Sequence, residues 1–148
     1  MHRTLIPILL ATLLAASPGC GDRCDCPPEW SIVGFSLADG EFEGDEWQIL
    51  IEVDGQLRTM CSSESGDGPN SAVVACDDPE VEVGHNATTL TVTLPEFQED
   101  AKVRVEVANA QGSVWTASAT VELRFHDTLD NCLCPLGEGI GELSLSDG

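Results

Sequence analysis

Apolar and polar residues alternate with period two through the later part of the chain. Leu90, Val92 and Leu94 alternate with Thr89, Thr91 and Thr93 over residues 88–94. Val103, Val105 and Val107 alternate with Lys102, Arg104 and Glu106 over 102–108. Over 114–125, Trp115, Ala117, Ala119, Val121, Leu123 and Phe125 share one face, with Thr116, Ser118, Thr120, Glu122 and Arg124 on the other. Successive side chains of an extended chain point to opposite faces, so each pattern predicts a strand with one face buried. Upstream, residues 47–53 put Trp47, Ile49, Ile51 and Val53 on one face and Gln48 and Glu52 on the other, with Leu50 breaking the polar side. Asp54-Gly55 predicts a two-residue hairpin, because a type I′ turn needs positive φ at both positions. Residues 56–61 then return as the partner strand. Residues 30–37 (WSIVGFSL) and 71–76 (SAVVAC) read as further strands, with a brief edge strand at 81–83. No stretch after Cys20 shows a helical period. About seven strands separated by turns predict an all-β chain, a single β-sandwich over residues 30–134. Residues 62–70 (SSESGDGPN) read as a flexible polar loop suited to contact with a partner. Residues 135–148, rich in Gly and acids, read as a loose C-terminal tail with one weak strand around 143–145.

The first twenty residues follow another rule. Arg3 is followed by a twelve-residue apolar run, 5–16 (LIPILLATLLAA), and then by Ser17-Pro18-Gly19-Cys20. This is the layout of an export signal, with an apolar run too short to span a bilayer as an anchor. Gly19-Cys20 resembles the lipobox of bacterial lipoproteins, in which the cysteine receives a diacylglycerol before cleavage. Ser17 stands where that motif usually has Leu, and Pro18 is unusual beside Gly19. The resemblance implies a signal peptide over 1–19, fatty acylation (palmitate) at Cys20 and a lipid-anchored tether over 20–29. Gly21 rather than Asp after Cys20 resembles lipoproteins that are not held at the inner membrane, which implies the outer membrane of a cell envelope. The alternative is a soluble secreted protein cut by the ordinary signal peptidase, with Cys20 entering a disulfide.

Removal of residues 1–19 leaves 129 of the 148 residues, enough for one domain with a real core. Those 129 carry 26 acidic residues against five basic ones, Arg23, Arg58, Lys102, Arg104 and Arg124, a net charge of −21. Such a surface repels phosphate backbones and anionic headgroups, which argues against nucleic acid as a partner. Setting Cys20 aside, Cys24, Cys26, Cys61, Cys76, Cys132 and Cys134 form an even set in an oxidising compartment. Six thiols allow fifteen pairings. Cys24-Asp25-Cys26 mirrors Cys132-Leu133-Cys134, so the two pairs are expected to make a double rung joining the chain ends, with Cys61–Cys76 closing a shorter loop. A four-thiolate zinc site from the two C-x-C pairs is the competing arrangement.

Glu99-Asp100-Ala101 followed by 103–123 (VRVEVANAQGSVWTASATVEL) resembles the last two strands of immunoglobulin-like domains, with Asn109-Ala-Gln-Gly112 as the turn between them. The resemblance implies an immunoglobulin-like sandwich that is stapled by disulfides. It departs from the family at Val103 and Val105, where a tyrosine and a core cysteine would stand.

Asp39, Glu41, Glu43 and Asp45, with Gly44 at the sixth position, have the spacing that opens a calcium loop, although Leu50 occupies the twelfth position in place of the bidentate Glu. A turn between strands explains the same residues; Asp77 and Asp78 are additional candidate ligands. His85 and His126 are the histidines left after cleavage, and both are expected on exposed loops or strand ends with no nucleophile signature. An enzyme would need one of them in a cleft beside paired carboxylates. Asn86-Ala87-Thr88 matches a glycosylation sequon, an accidental one in a bacterial protein. The expected function is therefore non-catalytic: an anchored envelope domain that displays loops for recognition, adhesion or structural support toward a protein or glycan, with a calcium-binding module as the alternative.

Overall fold

The computed structural model describes residues 26, 29–42, 46–64, 73–127 and 133–146. Ten strands form among them: β1 (Ser31–Leu37), β2 (Trp47–Val53), β3 (Gln56–Glu64), β4 (Val73–Cys76), β5 (Glu82–His85), β6 (Thr89–Leu94), β7 (Lys102–Asn109), β8 (Val114–Thr120), β9 (Glu122–Asp127) and β10 (Leu133–Leu145). The described residues contain no helix.

The strands join in the order β4-β3-β2-β7-β8-β10-β1-β6-β5, with β9 paired to β10 beside this path. The edge strands β4 and β5 touch across the remaining gap without a ladder. The expected immunoglobulin-like sandwich of about seven strands is thus corrected to a ten-stranded, almost closed sheet. The all-β class and the disulfide staples hold.

The reason for the difference is β10. The segment expected to be a loose tail from residue 135 onward is the longest strand, thirteen residues. It runs parallel to β1 from Ser31↔Gly137 to Leu37↔Leu143. On its other side it pairs first with β9, Leu133↔Asp127 to Glu138↔Glu122, and then with β8 at Ser144↔Thr116 and Leu145↔Trp115. Between these ladders the strand turns a corner from one half of the sheet to the other, a place where strands switch sheets. Glycines occupy the inward positions there. A Cβ on Gly137 would lie 2.5 Å from Phe97 Cδ2 and 2.6 Å from Ser31 Oγ. On Gly141 it would lie 2.7 Å from Phe35 Cδ1 and 2.9 Å from the Ser118 carbonyl oxygen. Glycine lets the backbones approach where any side chain would hold them apart.

The period-two rows become the core. Val33, Phe35, Ile49, Ile51, Leu90, Val92, Val103, Val105, Val107 and Val121 are almost fully buried. Ala119 of β8 lies against Gly139, and Ala117 is buried on the same face of β8, so small side chains line the corner. Asp54 and Gly55 take φ of 51° and 77°, as the hairpin requires. Asp54 Oδ1 also accepts the Lys102 N–H at 2.8 Å, which ties the β2–β3 turn to β7. On the outer face, Arg104 of β7 reaches Glu52 of β2 at 2.9 Å and Glu106 at 3.2 Å; the hydrogen bond it donates to Glu52 contributes most to raising the guanidinium pKa.

Two disulfides are described. Cys61–Cys76 joins directly opposed residues of β3 and β4. Cys26–Cys134 ties the segment before β1 to the start of β10, across 108 residues of sequence. That bond excludes the four-thiolate zinc arrangement. Cys20, Cys24 and Cys132 lie outside the described residues.

Candidate functional site

The inward rows of β2, β3 and β7 change character at one end of the sheet. Trp47 lies opposite Ser63 on one side and Asn109 on the other, so the Ile/Val core ends in an indole, a hydroxyl and a carboxamide placed side by side. Ser63 and Asn109 are buried polar residues. Phe42 stacks obliquely on Trp47 at 5.7 Å and edge-on to Trp115 at 5.8 Å. From β5, the His85 ring meets Trp47 edge-on at 4.6 Å. Over these strand ends lies a recess of about 590 Å³, lined by Glu46, Trp47, Gln48, Ser62, Ser63, Ala108, Asn109 and Ala110. Among the described residues that line it, Glu46 is the one charged side chain.

Asn109 has a structural task there. Its Oδ1 accepts the Ser113 N–H at 2.8 Å and its backbone exchanges bonds with Ser113 and Gly112, closing the β7–β8 turn expected from Asn109-x-x-Gly112. Gly112 has φ of 89°, a conformation reserved largely for glycine.

His85 stands at a strand end, the last residue of β5, but it is half-buried where an exposed side chain was expected. Its Nε2 sits 3.4 Å from Ser63 Oγ, at the limit of a hydrogen bond, and its Nδ1 is buried without a partner. A serine–histidine nucleophile needs a group that orients the second ring nitrogen, and none reaches Nδ1. The serine is itself only 2% exposed, closed to a substrate carbonyl. The pair is a core contact with one unsatisfied nitrogen. Ser63→Ala combined with His85→Phe removes both polar partners while keeping an aromatic ring against Trp47. It is expected to leave stability within about 0.5 kcal/mol of the parent or to raise it. Thermal melting checks this; a loss above about 1 kcal/mol would show that the hydrogen bond outweighs the orphaned nitrogen.

The other candidate residues disperse. His126 is exposed on β9, with Nε2 at 2.8 Å from Glu138 of β10. Asp39 and Glu41 are exposed beside Gly40, at the rim of a second recess floored by Trp115 and Leu143. Glu43 and Asp45 lie outside the described residues. Among the described residues no three His, Cys, Asp or Glu side chains converge as metal ligands. Asp78 is taken up by Arg58 at 3.0 Å and by the Glu80 N–H at 3.0 Å, and Arg58 also reaches Glu96 at 3.4 Å. Asn86 Oδ1 accepts the N–H groups of Thr88 and Thr89, both at 2.9 Å. Turn chemistry therefore accounts for the asparagine of the sequon.

The grouping of Trp47, Ser63, His85 and Asn109 is not visible in the sequence. It depends on strand register, and the local cue is the appearance of polar residues at inward-facing positions where each run ends.

The chain matches no protein-family model, no curated protein and no solved structure.

Proposed function

We propose that the protein is a non-catalytic envelope lipoprotein, anchored through acylated Cys20 and holding a recognition surface away from the membrane. The observation that carries this reading is the position of Cys26. The residue is bonded to Cys134 at the start of β10, while the Trp47 recess lies near the other end of that strand, beyond Leu143. A tether leaving from Cys26 therefore presents the recess, with the half-buried indole of Trp47, the exposed carboxamide of Gln48 and the exposed hydroxyl of Ser62, on the far side. These groups suit an uncharged polar partner such as a glycan or a peptide segment. The order of the hairpins β2–β3, β5–β6 and β7–β8 supports reading the body as a relative of immunoglobulin-like domains that has gained a β9–β10 ribbon. The outer membrane is the proposed address.

Fatty-acid labelling of cells that express the protein and its Cys20→Ala variant tests the reading. The parent is expected to incorporate label and to sediment with membranes; the variant is expected to lose the label and leave the membrane fraction. Retention of the variant on membranes with no fatty acid would refute the anchor.

A further inference from the structure

The β9–β10 ribbon projects past the body. β1 begins at Ser31 opposite Gly137, so the β10 residues before Gly137 have no β1 partner and overhang by about 13 Å. Within this overhang Phe125 pairs with Pro135 and Asp127 with Leu133. Directly opposed residues share a face. That face continues the inward row of Gly137, but the core has ended beneath it, leaving Phe125 and Leu133 each 61% exposed. The opposite face carries the ion pair Arg124–Glu122 at 2.6 Å and a contact of His126 Nε2 with Glu138 at 2.8 Å, beside half-buried Leu136 and the bridged Cys134. The ribbon is amphipathic, and its apolar side is uncovered by any described residue.

The tether decides what covers it. Cys20 lies six residue steps from Cys26, a reach of about 20 Å at full extension. Cys26 is bonded to Cys134, the neighbour of Leu133 in β10. An acyl chain on Cys20 therefore holds Phe125 and Leu133 at the bilayer surface at high effective concentration. Building on the anchored reading, we propose that the apolar face of the overhang is a foot that rests in the headgroup region of a zwitterionic bilayer. Asp127 on that face and the net charge of −21 disfavour anionic headgroups. Aromatic side chains with one wet side suit this layer.

The test uses the full mature, acylated protein in phosphatidylcholine vesicles whose acyl chains carry bromine, a short-range quencher of tryptophan. Two variants each add a probe at a similarly exposed site: Phe125→Trp on the foot and Leu145→Trp at the recess end, where Leu145 is 58% exposed. Emission added by Phe125→Trp is expected to fall about twofold or more, and that added by Leu145→Trp to be unchanged. Replacing part of the phosphatidylcholine with phosphatidylglycerol is expected to weaken the quenching. Equal quenching of both probes, or of neither, on protein whose Cys20 carries label overturns the foot and leaves the anchor standing. Absence of label from Cys20 overturns both. A dimer in vesicle-free detergent that protects Phe125→Trp from soluble quencher, with no bromolipid quenching, assigns the face to a second copy and overturns the foot.

Discussion

Gly137→Ala is expected to lower the unfolding free energy by about 3 kcal/mol, the upper part of the range for overpacking a core. The added methyl meets Phe97 at 2.5 Å, Ser31 Oγ at 2.6 Å and Val121 Cγ1 at 2.8 Å, from three different segments. Ser31 cannot yield cheaply, because its hydroxyl donates to the Glu96 carbonyl at 3.0 Å and the residue is 1% exposed. Val121 is fully buried at the bend between β8 and β9 and exchanges backbone bonds with Ala101 and Asp100. The strands must therefore separate, which weakens the β1–β10 ladder. A fall in melting temperature of roughly 10 °C is expected for a domain of this length. Gly34→Ala is the control. Its Cβ would meet nothing within 4 Å, so the change is expected to stay within about 0.5 kcal/mol. Equal losses at both positions would mean that glycine's backbone freedom, and not the close approach, is what Gly137 supplies.

The second large effect concerns the staples. Loop-closure entropy assigns about 4.7 kcal/mol to a bridge that closes about 100 residues and about 3 kcal/mol to one that closes about 15. The described bridges span 108 and 15 residues. Replacing Cys61 and Cys76 by alanine is thus expected to cost about 3 kcal/mol. The terminal bridge behaves differently if Cys24 and Cys132 form the second rung expected from the paired C-x-C motifs. Either rung then keeps the chain ends joined. Opening Cys26–Cys134 alone releases little chain entropy, and a loss below about 1 kcal/mol is expected; opening both rungs is expected to cost about 4 to 5 kcal/mol. Urea unfolding under non-reducing conditions separates the cases. A loss of about 4 to 5 kcal/mol from the Cys26 and Cys134 replacements alone would show that this bridge stands by itself.

Much of the sheet is legible in the sequence because packing and pattern coincide there. The alternating runs at 88–94, 102–108 and 114–120 became β6, β7 and β8, with the predicted faces inward. Asp54-Gly55 and Asn109-x-x-Gly112 form the turns their chemistry demands. Beyond Thr120 the alternation keeps its parity into β9 but outlives the core, which is why Phe125 is exposed where the pattern placed it inside. Only the end of β10, around 143–145, is legible as a strand, and the physical reason lies in its middle. Through its middle the inward residues are Gly137, Gly139 and Gly141, so the side that normally announces a strand through bulk has no side chains until Leu143. The signal was present as a strict i, i+2 spacing of glycines. Ser62 to Glu64 read as loop on polarity, yet they extend β3, and Ser63 closes the core. The recess could not be read at all, since the positions of Ser63 and Asn109 beside Trp47 are fixed by pairing and not by composition.

The parallel ladder between β1 and β10 also governs timing. Ser31 stands 106 positions ahead of its partner Gly137, so any ribosome or pore delivers the two far apart in time. Contacts of such sequence separation form slowly, and this one is the only link that β1 has on its β10 side. The barrel-like sheet therefore cannot complete itself on a partly delivered chain. On the exported reading proposed above, this delay keeps the chain an open thread while it crosses the membrane, because the seam is sewn only after β10 has followed β1 across.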